Sequence, residues 1–401
     1  MTTGERKVPV PKGAPIELAR ALVPLLTEYD QEIDETRRVP DHVMDRVKET
    51  GLPWMMLPKR IGGAGELMRT EIAVTAELGR GSPGAAWSFG LLCAVTAAAG
   101  SLPAAAVDRI FRTGRELVCG VTIPAGVATP TEGGYIVTGA WPYASGSQFA
   151  DWGMSGLRIM DADGKFAGIG YAFMPFGEGG LTLKDTWHVI GMRGSASNTI
   201  VANELFVPAE LVQLNGYRQL APQQQLSEEP RDNWSSAGAF PLGVLAPLLG
   251  AARKMLDIMV GDLDTRGVSM WDYPRMSASQ SVLQQVGEAA IEIDSAWLHV
   301  MNAADILDVN AQDHPITQDE VVRLQADCGY AMQLLRRAAG RLMDLGGASA
   351  FTTDHPLQRA WRDIAIGSRH AALNSLQSME MYGRKLAGQP LQNPAFRAGY
   401  E

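Results

Sequence analysis

Trp141-Pro-Tyr-Ala-Ser-Gly-Ser-Gln-Phe-Ala-Asp-Trp152 and, further on, Asp185-Thr-Trp-His-Val-Ile-Gly-Met-Arg-Gly-Ser-Ala-Ser-Asn-Thr199 decide how this chain reads. Both stretches mix aromatic rings, glycines and small hydroxyl residues. Glycine lets backbone approach a ring closely, and Ser or Thr hydroxyls can bond heteroatoms at its edge. Such a mixture suits a flat, mostly apolar ligand with polar edges.

Around these stretches, from about residue 116 to 215, β-branched and aromatic runs alternate with turns at Glu132-Gly-Gly134, Ala162-Asp-Gly164 and Gly177-Glu-Gly-Gly180. The short spacing leaves no room for crossover helices, so an antiparallel sheet or barrel is expected. On the N-terminal side, residues 1–115 read as a helical domain. Leu18, Leu22, Leu25, Leu26 and Ile33 recur at helical spacing, Asp41 to Thr50 makes a short helix, and Thr70–Arg80, Ala85–Gly100 and Pro103–Thr113 add three more. Residues 216–236, rich in Gln, Glu, Pro and Ser, read as an exposed connection. From 237 to 401 the chain returns to helix, with four segments at about 240–266, 276–310, 317–345 and 356–387 that together make a bundle. The expected class is α+β, mainly α.

Composition bounds the partners. The 401 residues are 46% hydrophobic and 20% charged with a formal charge of −9, which suits a globular chain and argues against nucleic acid. The start lacks an apolar core typical of a secretory signal. The apolar run Ala239–Ala252 holds two prolines and two glycines and falls short of the roughly 18 residues of a membrane span. A cytoplasmic location is expected, with no membrane partner. Cys93, Cys119 and Cys328 are far apart and odd in number, and the histidines show no ligand spacing, so neither a disulfide framework nor a metal site is expected. No GxGxxG or GxxxxGK[ST] loop is present for a dinucleotide.

The order of helical domain, β domain and four-helix bundle resembles the acyl-CoA dehydrogenase fold, and Leu57-Pro58 through Gly62-Gly63-Ala64-Gly65 resembles that family's early glycine loop. Within the fold, WPYASG, DTWHVIGMRGSASNT and Trp361-Arg362-Asp363 followed by His370 are similar, in order, to motifs of the reduced-flavin-dependent monooxygenases. The resemblance implies an oxygenase component that takes FMNH2 or FADH2 from a separate NAD(P)H:flavin reductase. It would react the flavin with O2 through a C4a-hydroperoxide and hydroxylate an aromatic or polycyclic small molecule. His370 and Ser145 would then be catalytic. Thr122, Trp141, Ser145, Arg193, Ser195, Arg266, Gly346 and Gly347 would bind the cofactor, and Trp87 and Phe89 the substrate. Helices 240–266 and 317–345 would bury faces against other subunits of a homotetramer, with Arg266 reaching a neighbour's flavin. The same resemblance places a dehydrogenase's catalytic base at Phe240 or Ala371, neither of which is an acid. Many relatives carry a second histidine where Ala365 stands. The rival readings are a flavin oxidase or dehydrogenase with a base elsewhere, and a non-catalytic scaffold.

Overall fold

The computed structural model describes residues 7–214, 227–234 and 236–392. The chain opens with α1 (Pro15–Thr36), α2 (Asp41–Glu49), α3 (Met68–Gly81), α4 (Pro83–Gly100) and α5 (Ala104–Ile110). Pro15 and Pro83 open α1 and α4 at first-turn positions, where a missing N–H costs nothing. Helix α3 borrows its start from far away: Asp308 accepts the backbone N–H groups of Met68 and Arg69 at 2.9 and 2.8 Å.

Among the described residues, seven strands follow between Val118 and Leu214, numbered β1 (Val118–Thr131), β2 (Gly134–Ala144), β3 (Trp152–Met160), β4 (Phe166–Pro175), β5 (Thr182–Lys184), β6 (Asn198–Pro208) and β7 (Val212–Leu214). They form one sheet in the order β5-β6-β2-β1-β3-β4-β7. All neighbours run antiparallel except β1 and β3, which are parallel. The β1–β2 hairpin is flanked on β1's far side by β3, so two strands of the same direction meet without a crossover helix. Between Val121 and Gly126 the β1–β3 register shifts, a bulge that re-aims the residues within it.

The bundle comprises α6 (Ser236–Asp262), α7 (Gln280–Asp305), a π-turn at Ile306–Asn310, α8 (Ala311–Asp313), α9 (Gln318–Gly346), α10 (Pro356–Gly367) and α11 (Ser375–Leu386). A reciprocal capping box of Thr317 and Glu320 starts α9. The segment expected to be one helix over 356–387 is two. His370 Nδ1 accepts the N–H of Ala372 at 3.2 Å, and the Asn374 side chain caps α11 by accepting from Gln377. These local side-chain bonds satisfy backbone groups that a continuous helix would have used.

The connection expected over 216–236 differs too; residues 215–226 and 235 lie outside the described residues. Residues 227–234 are packed, not splayed into solvent. Asn233 is 4% exposed and donates to Ala311 O, and Trp234 Nε1–H donates to Leu307 O.

Two apolar cores result among the described residues. One fills the bundle and takes in α3, and the other joins the N-terminal helices to the inner face of the sheet. Helix α4 lies between them, packing on α3, α6 and β1. Its 18 residues are apolar enough to cross a membrane, but 78% of them are buried within the fold. Helices α6 and α9, expected to pair with other subunits, turn much of their apolar surface into this chain's own core: Leu242, Leu245, Leu248, Leu324, Leu335 and Leu342 are all fully buried.

Candidate functional site

The break between α10 and α11 turns His370 inward, where its ring lies 5.9 Å from Trp87 on α4 and 5.4 Å from Phe240 on α6, centroid to centroid. Trp87 Nε1–H donates to Ser145 Oγ at 3.2 Å. Ser145 Oγ pairs with Ser197 Oγ at 2.6 Å, and Ser197 Oγ pairs with Ser195 Oγ at 2.7 Å. The three serines are each no more than 5% exposed. His370, Trp87 and Ser145, far apart in sequence, thus converge on one place between the sheet and the bundle.

The proton inventory of this row is restrictive. Ser145 Oγ already accepts from Trp87. With Ser195 donating to Ser197 and Ser197 to Ser145, the Ser145 proton is left free to point at a ligand. His370 Nδ1 accepts from Ala372 N–H, so the resting proton sits on Nε2. Burial pushes the His370 pKa down, which favours the neutral ring. In that arrangement the site offers two hydrogen-bond donors, Nε2–H and Oγ–H. General-base work by His370 would need the other tautomer and would set two N–H groups against each other.

The loops that hold these serines are strained. Tyr143, Met192 and Ala196 adopt φ of 69°, 54° and 43°. Left-handed backbone costs an ordinary residue roughly 1–2 kcal/mol. Ala196 bears that cost where the resembled monooxygenases carry glycine. The WRD motif supplies the restraint. Asp363 Oδ1 accepts the N–H of Met192 at 2.5 Å, and Arg362 donates to Ile190 O and to Asp34 at 2.9 Å. Burial, with the carboxylates of Asp30 and Asp34 nearby, pushes Asp363 up to about 7. Next to it, Asp30 is held between Lys254 at 2.6 Å and Arg359 at 2.9 Å, all three buried. Removing one partner of such a cluster strands an uncompensated charge, a loss of about 3–5 kcal/mol. The motif that registers the chain as a relative is thus a clamp holding the serine loop on α10.

Six expected site residues lie apart from this junction. Trp141 is 0% exposed and donates to Gly156 O at 2.6 Å. Its ring covers the glycines Gly126 and Gly139, where a Cβ would come within 2.2 and 2.7 Å of ring carbons. It is a core residue with no face left for a ligand. Phe89 follows Trp87 by two positions, roughly the opposite side of a helix, and packs with Leu26, Met44 and Leu78 in the N-terminal core. Arg193 is tied down by backbone, donating to Asp34 O, Val189 O and Glu35 O at 2.5, 3.0 and 3.2 Å. Arg266, Gly346 and Gly347 do come together, but as a group of their own. Arg266 bonds Asp262 at 2.7 Å, Gly346 O at 3.2 Å and Ser349 at 3.3 Å. Thr122 is half-buried on the β1 bulge. Sequence reasoning passed over Ser197 and Phe240 as site residues; the first stood in the second quoted motif, two places after Ser195.

Whether a flavin fits can be asked of the polar atoms. Ser147 Oγ, Gln148 Oε1 and Ser155 Oγ are buried and have no partner among the described residues. Buried polar atoms are ordinarily satisfied. Open donors and acceptors on the turn after Ser145 (Ser147, Gln148) and on β3 (Ser155) fit the heteroatom edge of a flavin ring.

The comparisons with known proteins agree with this geometry. Residues 18–102 match the acyl-CoA dehydrogenase N-terminal domain model, and residues 242–375 the acyl-CoA dehydrogenase C-terminal domain model. XiaF from Streptomyces sp., solved in complex with FADH2 and glycerol, superposes with a TM-score of 0.89 at 30% identity, covering 95% of this chain and 96% of that one. The chain belongs to the acyl-CoA dehydrogenase family. Within it, the relatives are flavin-dependent monooxygenases. The oxygenase subunit HsaA of Rhodococcus jostii is 25% identical over 375 residues, 92% of this chain and 97% of that protein. The oxygenase component of the FADH(2)-dependent resorcinol hydroxylase of Rhizobium sp. is 25% identical, over 89% of this chain and 90% of its own.

Proposed function

We propose that this protein is the oxygenase component of a two-component flavin-dependent monooxygenase that hydroxylates an aromatic or polycyclic small molecule. The observation that carries the reading is the convergence of His370, its Nδ1 occupied by Ala372 N–H, and of Ser145, bonded by Trp87, at a junction where the places of a dehydrogenase base hold Phe240 and Ala371. Bound reduced flavin supplies the electrons that activate O2. Thr122, Ser145, Ser147, Gln148 and Ser195 would hold its polar edge. The residues of this chain do the rest. Trp87, itself buried, keeps water from the Ser145 side of the junction, which strengthens the hydrogen bonds there. The serine row holds a proton at Ser145 Oγ. His370 steadies the oxygen being transferred by donating from Nε2. A separate reductase supplies the reduced flavin, and O2 is the co-substrate. The test is whether the protein delays the reoxidation of reduced flavin by O2, a lag that free flavin does not show.

For assembly, the exposed apolar residues favour a face on α7 in addition to those expected on α6 and α9. Leu283, Ile291 and Leu298 on α7 are 45%, 63% and 68% exposed and recur at spacings of eight and seven, a stripe along one side of the helix. The hairpin after Arg266 carries Met270 and Trp271, 101% and 72% exposed. Exposed apolar surface of this extent supports a homotetramer built on α7 and the hairpin. In it, the Arg266–Gly346 group would face a neighbour's cofactor. Sedimentation at micromolar concentration should give a tetramer, and combining Ile291→Lys with Leu298→Lys should shift the sample to smaller species. A parental monomer would contradict the assembly.

A further inference from the structure

Helix α4 is apolar all round, yet the described residues leave one row of it partly uncovered. From Trp87, beside His370, the row runs through Leu91, Ala94 and Val95, all half-buried, to the exposed Ala98, whereas Leu92, Cys93 and Ala97 are buried. Two turns from Trp87 the row meets Arg231. Arg231 Nη2 donates to Ala94 O at 3.1 Å, and the guanidinium carbon lies 5.3 Å from the Trp234 ring centroid. Arg231 Nη1 is buried and has no hydrogen-bond partner among the described residues.

The nearby carboxyl does not serve it. Glu71 is 1% exposed; its Oε1 accepts from Thr75 at 2.9 Å, and its Oε2 is buried without a partner among the described residues. Gly90 on α4 leaves it room, since a Cβ there would lie 3.2 Å from Glu71 Oε1. Burial pushes Glu71 up to about 8 and Arg231 down to about 10, so near neutral pH the acid is mostly protonated and the guanidinium still charged. Asp232, next in the chain, pairs with Arg60 at 2.9 Å.

Asp232 acts on the Arg231 charge from a distance, but a buried guanidinium nitrogen that bonds nothing is costly, and proteins normally pair such groups. We propose that Arg231, backed by Glu71, receives an anionic oxygen at the far end of an elongated aromatic substrate whose reacting end lies at His370. From Trp87 to Ala94 the helix rises about 10 Å, the length of a bicyclic aromatic acid. The Trp234 face and the α4 row supply the apolar walls between the two ends. The placement of the reacting end rests on the oxygenase reading; the anion site rests on Arg231 and Glu71 and not on that reading.

Binding without turnover separates the two. Tryptophan fluorescence of the full chain is titrated with the carboxylate of a hydroxynaphthoic acid and with the matching naphthol. The parent should bind the carboxylate about tenfold or more tightly than the naphthol, the size expected for one charge-assisted bond. Arg231→Met should erase that preference and leave naphthol binding unchanged. Arg231→Lys, which keeps the charge but not the planar fork, should retain part of it, and serves if the Met variant melts early. A parent with no carboxylate preference, binding of neither probe included, overturns the proposal. So does a preference that survives in a folded Arg231→Met. Neither outcome touches the flavin reoxidation lag, and loss of that lag would leave the binding preference intact.

Discussion

His370→Ala is expected to lower product formed per reduced flavin consumed by about 10²- to 10⁴-fold, the range for losing a positioned proton-transfer group. His370 is held by Ala372 N–H on one nitrogen and by the rings of Trp87 and Phe240 on its flanks, which leaves Nε2–H as the working atom. Alanine removes that donor but not the cavity. Oxygen should still be consumed, with the shortfall in product appearing as hydrogen peroxide. The pH dependence has a definite sign. Burial depresses the His370 pKa, so the neutral ring persists to lower pH than a free imidazole. The unfolded chain takes up the proton first. The stability tied to this group is therefore full above the ordinary imidazole range and is lost as pH falls through the depressed folded value. The acidic limb of activity should lie below the ordinary histidine range and vanish in His370→Ala. If the variant hydroxylates at the parental yield and rate, His370 is only the cap of the 371–373 turn.

Ser145→Ala should act on a different quantity. It deletes the hydroxyl that accepts from Trp87 and pairs with Ser197, and with it the proton that the row can leave for a ligand. Loss of one such donor to a charged or polarised partner is worth about tenfold or more. Peroxide released without product should rise by that factor, while affinity for reduced flavin changes little, because the other polar atoms of the loop remain. Peroxide and product are measured together at several substrate concentrations. Parental peroxide yield would show that the hydroxyl only fills the turn. A large loss of flavin affinity would show that it anchors the cofactor instead.

The architecture could be read from the chain because the hydrophobic period changes near 116 and again after 215, and because three motifs keep their order. The site was legible in part. Ser145 and His370 sit in motifs, and Trp87 on an apolar helix, and the fold brings all three together. What local sequence could not convey is which side of an element a residue faces. Trp141 and Phe89 are aromatic and near the right places, yet Gly126 and Gly139 draw one into the sheet core, and a two-residue step turns the other away. Arg193 reads as a cofactor ligand, and in the folded chain three backbone carbonyls accept from it. The break after Gly367 was hidden because Ala371, Ala372 and Leu373 are good helix formers. Only the side-chain bonds of His370 and Asn374 to backbone reveal it. Apolar composition alone does not mark a surface either: the leucines of α6 and α9 pack inside the chain, whereas Leu283, Ile291 and Leu298 on α7 stay exposed.

The central claim is that this protein takes reduced flavin and controls its reaction with O2. Reduced FMN or FAD, prepared without a reductase, is mixed anaerobically with the protein and then with oxygenated buffer in a stopped-flow instrument, and the visible band of oxidised flavin is followed. The account predicts a lag before that band appears, absent with free flavin and shortened in Ser145→Ala. A band that rises at the free-flavin rate with both cofactors, with peroxide released in step, would contradict it.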